Sequence, residues 1–103
     1  MPYKINKPYK VFFRTLANNI RINILHSLID KPKSVSELVN ALKYNQTTIS
    51  HNLKILKYCR FVEGKKEGKK RIYSLNSETI LPLIKLIDRH TEKYCANICY
   101  KNE

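Results

Sequence analysis

Apolar residues recur at helical spacing along most of the chain, and the period changes only once. Val11, Phe12, Phe13 and Leu16 predict a short first helix from Pro8 to Leu16. Asn18 or Asn19 can cap a second, in which Ile20, Ile24, Leu25, Leu28 and Ile29 form one stripe. Asp30-Lys31-Pro32 ends it, because proline cannot continue a helix and restricts the residue before it. Ser34-x-x-Glu37 is a capping box opening a third helix, with Leu38, Val39, Ala41 and Leu42 on its apolar side. After a turn at Lys43-Tyr44, Asn45 can cap a fourth helix from Gln46 to about Tyr58. Ile49, Leu53 and Leu56 face its core, with Ile55 at the edge.

Beyond that point the pattern turns β-rich. Phe61-Val62 and Ile72 to Leu75 flank a charged stretch from Glu63 to Lys70, whose glycines can take the positive φ of a hairpin turn. A last helix is expected from Ser77 or Thr79 towards Tyr100, with Pro82 in its first turns. The expected fold is mainly α with a small β-hairpin wing, a winged helix-turn-helix. It would be a single domain over residues 1–103, helices and wing at about 9–76 and a dimerisation helix at about 77–100.

Charge sharpens this reading. Twenty Lys and Arg against eight Asp and Glu leave +12 over 103 residues. About half of that excess falls between residues 45 and 75, so it is focused rather than spread, as a polyanion partner requires. No apolar run approaches the ~18 residues of a membrane span. The start lacks a signal peptide's apolar stretch, and Cys59, Cys95 and Cys99 form no even set. Reduced thiols in a cytoplasmic protein are expected, with no membrane partner.

A helix that enters the major groove needs short polar side chains at its N-terminal end. Gln46, Thr47, Thr48, Ser50, His51 and Lys54 meet that demand: glutamine can read adenine, threonine a thymine methyl, and lysine guanine or a phosphate. Lys65, Lys66, Lys69, Lys70 and Arg71 on the hairpin suit the minor groove or the backbone, contacts that position without specifying.

These residues resemble the ArsR/SmtB-type winged-helix repressors. Phe13 to Leu28 is similar to that family's opening, with Leu16-Ala17 and Arg21 in their usual places. Ser34 to Leu42 is similar to its third helix, and Thr47 to Leu75 to its recognition helix and wing. The likeness spans about residues 9–92. It implies a homodimer built on the first and last helices, two recognition helices in successive major grooves of a palindromic double-stranded DNA operator, and repression relieved by an effector. The family usually carries a second His after Ser-His, implying a DNA contact there; this chain has Asn52.

Two metal sites of such relatives are incomplete here. Val39 and Ala41 replace a Cys-x-Cys of the third helix, and along the last helix only His90 remains beside Ser77, Thr79 and Lys93. In a cadmium- and lead-sensing branch a Cys at position 59 joins one a turn earlier, here Ile55. Cys95 and Cys99, one helical turn apart with Glu92 and Asp88 along the same stripe, could hold a soft divalent metal ion or close a redox bridge. Cys59 could join them from the partner subunit. Equally, Cys59 could be a small apolar residue packed behind the fourth helix, and the pair at the C-terminus could be simple packing.

Leu83, Ile84, Ile87, Tyr94 and Ile98 make an apolar stripe longer than one small domain can cover, which with Phe12 predicts the dimer interface. Catalysis is not expected: no nucleophile–base pair, phosphate-cradling loop or complete metal triad is visible. The competing reading is a non-specific architectural DNA- or RNA-binding protein without an effector.

Overall fold

Asn18, Ser34 and Asn45 fix where three of the helices begin. In the computed structural model, which describes residues 7–95, the Asn18 side chain accepts from the Arg21 N–H at 3.0 Å and starts α2 (Asn19–Ser27) behind α1 (Lys7–Leu16). Ser34 opens α3 (Val35–Leu42) with both halves of the capping box formed: Ser34 Oγ accepts from the Glu37 N–H at 3.2 Å, and Glu37 Oε1 from the Ser34 N–H at 2.9 Å. Asn45 accepts from the Thr48 N–H at 2.8 Å and opens α4 (Gln46–Tyr58). Between α3 and α4 the chain reverses through Lys43, whose φ of 66° is left-handed and whose N–H closes on Val39 O.

The core lies where these helices meet the sheet. Ile24, Leu25 and Leu28 of the α2 region, Leu38 of α3, and Ile49, Leu53 and Leu56 of α4 are buried together. Phe61 and Val62 bring the chain from α4 into the sheet through the same core. Ile20, Val39 and Leu42 pack at its edge, whereas Ala41, expected on the apolar side of α3, is exposed.

The sheet departs from the expected hairpin in two ways. It has three antiparallel strands in the order β1-β3-β2, because Lys33–Ser34 forms a short β1 beside β3, Lys33 opposite Tyr73 and Ser34 opposite Ile72. Two residues carry no periodicity, so β1 left no trace in the pattern. The charged stretch is also strand rather than loop. β2 (Val62–Glu67) and β3 (Lys70–Leu75) run in register to the tip, leaving Gly68 and Lys69 to turn, with Gly68 at φ 62°. Ladder bonds use only the backbone, so lysines can occupy strand positions wherever the side chains stay in water.

The last helix begins under a neighbour's control. Asn76 Oδ1 accepts from the Glu78 and Thr79 N–H groups at 3.1 and 3.3 Å, and α5 runs from Ile80 to His90. A π-helical turn, Thr91–Cys95, then interrupts the expected continuous helix. Residues 96–103, with Ile98 and Cys99, lie outside the described residues.

Candidate nucleic-acid interface

The fourth helix presents two different sides. Ile49, Leu53 and Leu56 enter the core, while Gln46, Thr47, Ser50, His51 and Lys54 are exposed on the other side and Thr48 is half-buried. The Asn45 cap takes up the Thr48 N–H. Gln46 and Thr47, in the same first turn, have no earlier helical carbonyl to pair with, so this end favours an anion.

Asn52 does something the resemblance did not imply. It is 6% exposed and so cannot face a ligand. Its Nδ2 donates to Thr48 O at 2.9 Å, and its Oδ1 accepts from Arg21 Nη1 at 3.0 Å. Arg21 in turn donates through Nε to Thr15 O at 2.7 Å and through Nη2 to Arg14 O at 3.3 Å. One guanidinium thus ties α4 to α2 and to the end of α1. Where the resemblance implied a DNA contact, this chain has a buried tie that holds α4 to α2.

The wing holds its cations in a fixed register. Lys65 stands opposite Ile72, Lys66 opposite Arg71 and Glu67 opposite Lys70, and Lys65, Lys66, Lys69, Lys70 and Arg71 are all exposed. Two cations facing each other across a ladder repel. Lys66 and Arg71 are therefore a local cost to folding that a polyanion would relieve.

Beside the wing, a cleft of about 570 Å³ opens between α4 and β2, lined by Lys54, Lys57, Tyr58, Arg60, Glu63 and Gly64 with Val62. Lys57 and Arg60 belong to the focused charge of residues 45–75, but neither they nor Tyr58 were among the expected DNA contacts, since they lie past the polar start of the helix.

Of the three cysteines, Cys59 and Cys95 fall among the described residues. Cys59 is half-buried against the core, its Sγ 3.4 Å from Thr15 Oγ1, and Cys95 is half-buried at the end of the π turn. Asp88, expected on the cysteine stripe, instead pairs with His26 Nε2 at 2.9 Å and joins α5 to α2. Among the described residues no group of three or more His, Cys, Asp or Glu is placed to hold a metal ion. His90 lies against the Tyr94 ring, centroids 5.1 Å apart.

Of the residues expected at a dimer seam, Phe12 packs within the chain on Phe61, with ring centroids 5.0 Å apart, and Leu83 packs against the core. Ile87 is half-buried. Tyr94 is 60% exposed, joined by Tyr9, Phe13 and Leu86 at 60%, 59% and 54%.

Polar side of one helix, basic ladder of a wing and a core shared by α2, α3, α4 and α5 form the arrangement seen in solved winged-helix regulators. The homodimeric winged helix-turn-helix DNA-binding domain Mb0332 from Mycobacterium bovis superimposes with a TM-score of 0.80 at 29% identity, covering 84% of this chain and 81% of that one. HlyU from Vibrio cholerae gives a TM-score of 0.73 at 31% identity, over 85% and 92% of the two chains. The family model described as bacterial regulatory protein, arsR family, matches residues 18–64. The chain belongs to the ArsR family. This ArsR-family chain is 33% identical over 79 residues to the transcriptional activator HlyU of Vibrio cholerae, covering 77% of this chain and 73% of that protein. It is 28% identical over 82 residues to a transcriptional repressor SmtB homologue of Synechocystis, covering 80% and 62%. It spans 38% to 73% of the lengths of three curated relatives. The ArsR family is one of transcriptional regulators, and this chain has a winged helix-turn-helix fold. Among the described residues no helix is long and apolar enough to cross a membrane.

Proposed function

We propose that the chain is a cytoplasmic, sequence-specific regulator of transcription that binds a palindromic double-stranded DNA operator as a homodimer and acts as a repressor. The observation that carries the reading is the exposed polar start of α4, Gln46 to His51, set beside a wing whose Lys66 and Arg71 face each other unneutralised. The first supplies base edges with hydrogen-bonding partners; the second supplies sequence-independent affinity. Exposed Tyr9, Phe13, Leu86 and Tyr94 support a dimer built on α1 and α5. The reading assigns no catalytic role.

An effector response belongs to the same proposal. Cys95, with Cys99 beyond the described residues, would take a soft divalent metal or a thiol oxidant, and Cys59 would serve as packing. The test is binding of the reduced protein to a genomic fragment pool, repeated with soft divalent metals and with a thiol oxidant. Enrichment of a palindrome, and its release by one agent in wild type but not in Cys95→Ser, is the expected result. Enrichment that ignores every agent would leave the regulator and remove the sensor. Equal affinity for all fragments would favour the architectural reading instead.

A further inference from the structure

We propose that the cleft between α4 and β2 seats the sugar–phosphate backbone of bound DNA, with Lys57, Tyr58 and Arg60 as its contacts; this deepens the DNA-binding reading above and rests on it. If α4 enters a major groove and the wing reaches the neighbouring minor groove, the strand dividing the two grooves must pass between them. That is where the cleft lies. Its walls carry Lys54, Lys57 and Arg60 against the single carboxylate of Glu63. No ion pair among the described residues engages Lys57 or Arg60. Tyr58 stands 87% exposed at the rim, with a phenol that can donate to a phosphate oxygen and a ring that can lie on a sugar.

Arg60 gives the cleft its distinguishing mark. Its φ of 64° is a left-handed conformation that glycine adopts freely and a long side chain does not. The backbone there is held by both neighbours: Asn76 Nδ2 donates to Arg60 O at 2.9 Å, and the Phe61 N–H to Leu56 O at 2.9 Å. The local geometry would suit glycine, as it would at Lys43, yet here the sequence places a long cation on the cleft wall. A true glycine shapes the opposite wall. A Cβ on Gly64 would sit 3.1 Å from Tyr73 Cε1 and 3.3 Å from Arg71 Cδ. Without it, the Tyr73 ring and the Arg71 stem can lie close against the β2 backbone at Gly64.

The experiment titrates wild type, Arg60→Gly, Lys57→Gln and, as a charge-matched control on α5, Lys85→Gln with an operator duplex and a random duplex over a salt series, alongside melting curves. Arg60→Gly relieves the strained φ, so its melting temperature should hold or rise. Arg60→Gly and Lys57→Gln should each weaken both duplexes several-fold and lower the log–log salt slope by about 0.9, the signature of one lost phosphate contact. Lys85→Gln should leave the slope unaltered. Slopes unchanged in both cleft variants, or lowered equally in all three, would overturn the cleft while leaving DNA binding in place. A wild type that binds neither duplex would overturn the DNA reading itself.

Discussion

Arg21 Nη1 donates to Asn52 Oδ1 at 3.0 Å, across the boundary between the helix that supports the fold and the helix that presents the polar face. Asn52 is buried and Arg21 half-buried, and both are otherwise satisfied by backbone carbonyls of α1 and α4. Asn52→Ala leaves a half-buried guanidinium one acceptor short, which costs about 1–3 kcal/mol. Urea denaturation of Asn52→Ala, Arg21→Ala and the double variant checks this: the double should lose less than the sum of the singles. Strict additivity would mean that the bond holds nothing together.

The exposed start of α4 and the wing should fail in different ways. His51→Ala and Thr47→Ala should narrow the affinity gap between operator and random duplex, because they remove groups that can meet base edges. Lys69→Gln with Lys70→Gln should weaken both duplexes about equally and flatten the salt dependence. Competition titrations at fixed salt separate the two; equal loss of preference in both sets would undo the division of labour.

Acid should loosen α3 first. The Ser34 backbone N–H bonded to Glu37 holds its carboxyl below the ordinary glutamate range. A carboxyl lowered on folding stabilises most above its unfolded value, about 4.3, and that stability is lost as pH falls through the lower folded value. Asp30, lowered by its hydrogen bond from Lys33, works in the same direction. Denaturation midpoints from pH 7 to pH 3 should fall in wild type and fall less in Glu37→Gln, with the remaining slope owed partly to Asp30. Ser34→Ala should cost about 1 kcal/mol at neutral pH by removing the cap.

The proposed dimer seam can be tested at the exposed apolar side chains of α1 and α5. Phe13→Glu with Leu86→Glu should yield monomers in sedimentation with little loss of helical signal, since neither side chain enters the core. Operator affinity should drop with the dimer. A variant that sediments as wild type would move the seam elsewhere on the surface.

The first four helices, the caps of three of them and most of their buried stripe were legible in the sequence. Each depends on contacts a few residues apart: Asn18, Ser34 and Asn45 bond backbone groups within the next turn, and Ile49, Leu53 and Leu56 share a face because a helix repeats every 3.6 residues. The polar start of α4 and the basic wing were legible too, because both are runs of neighbouring residues. Tertiary structure alone decided what depends on distant partners. Asn52 turns inward because Arg21 reaches it from another helix. Asp88 bonds to His26 because the fold brings α5 beside α2. Lys33–Ser34 becomes a strand only because β3 offers it a free edge. Arg60 joins Lys57 in one cleft because Asn76 and Leu56 fix the corner between α4 and β2. Local periodicity carries no record of such pairings, since their free energy is gained only when the chain closes on itself.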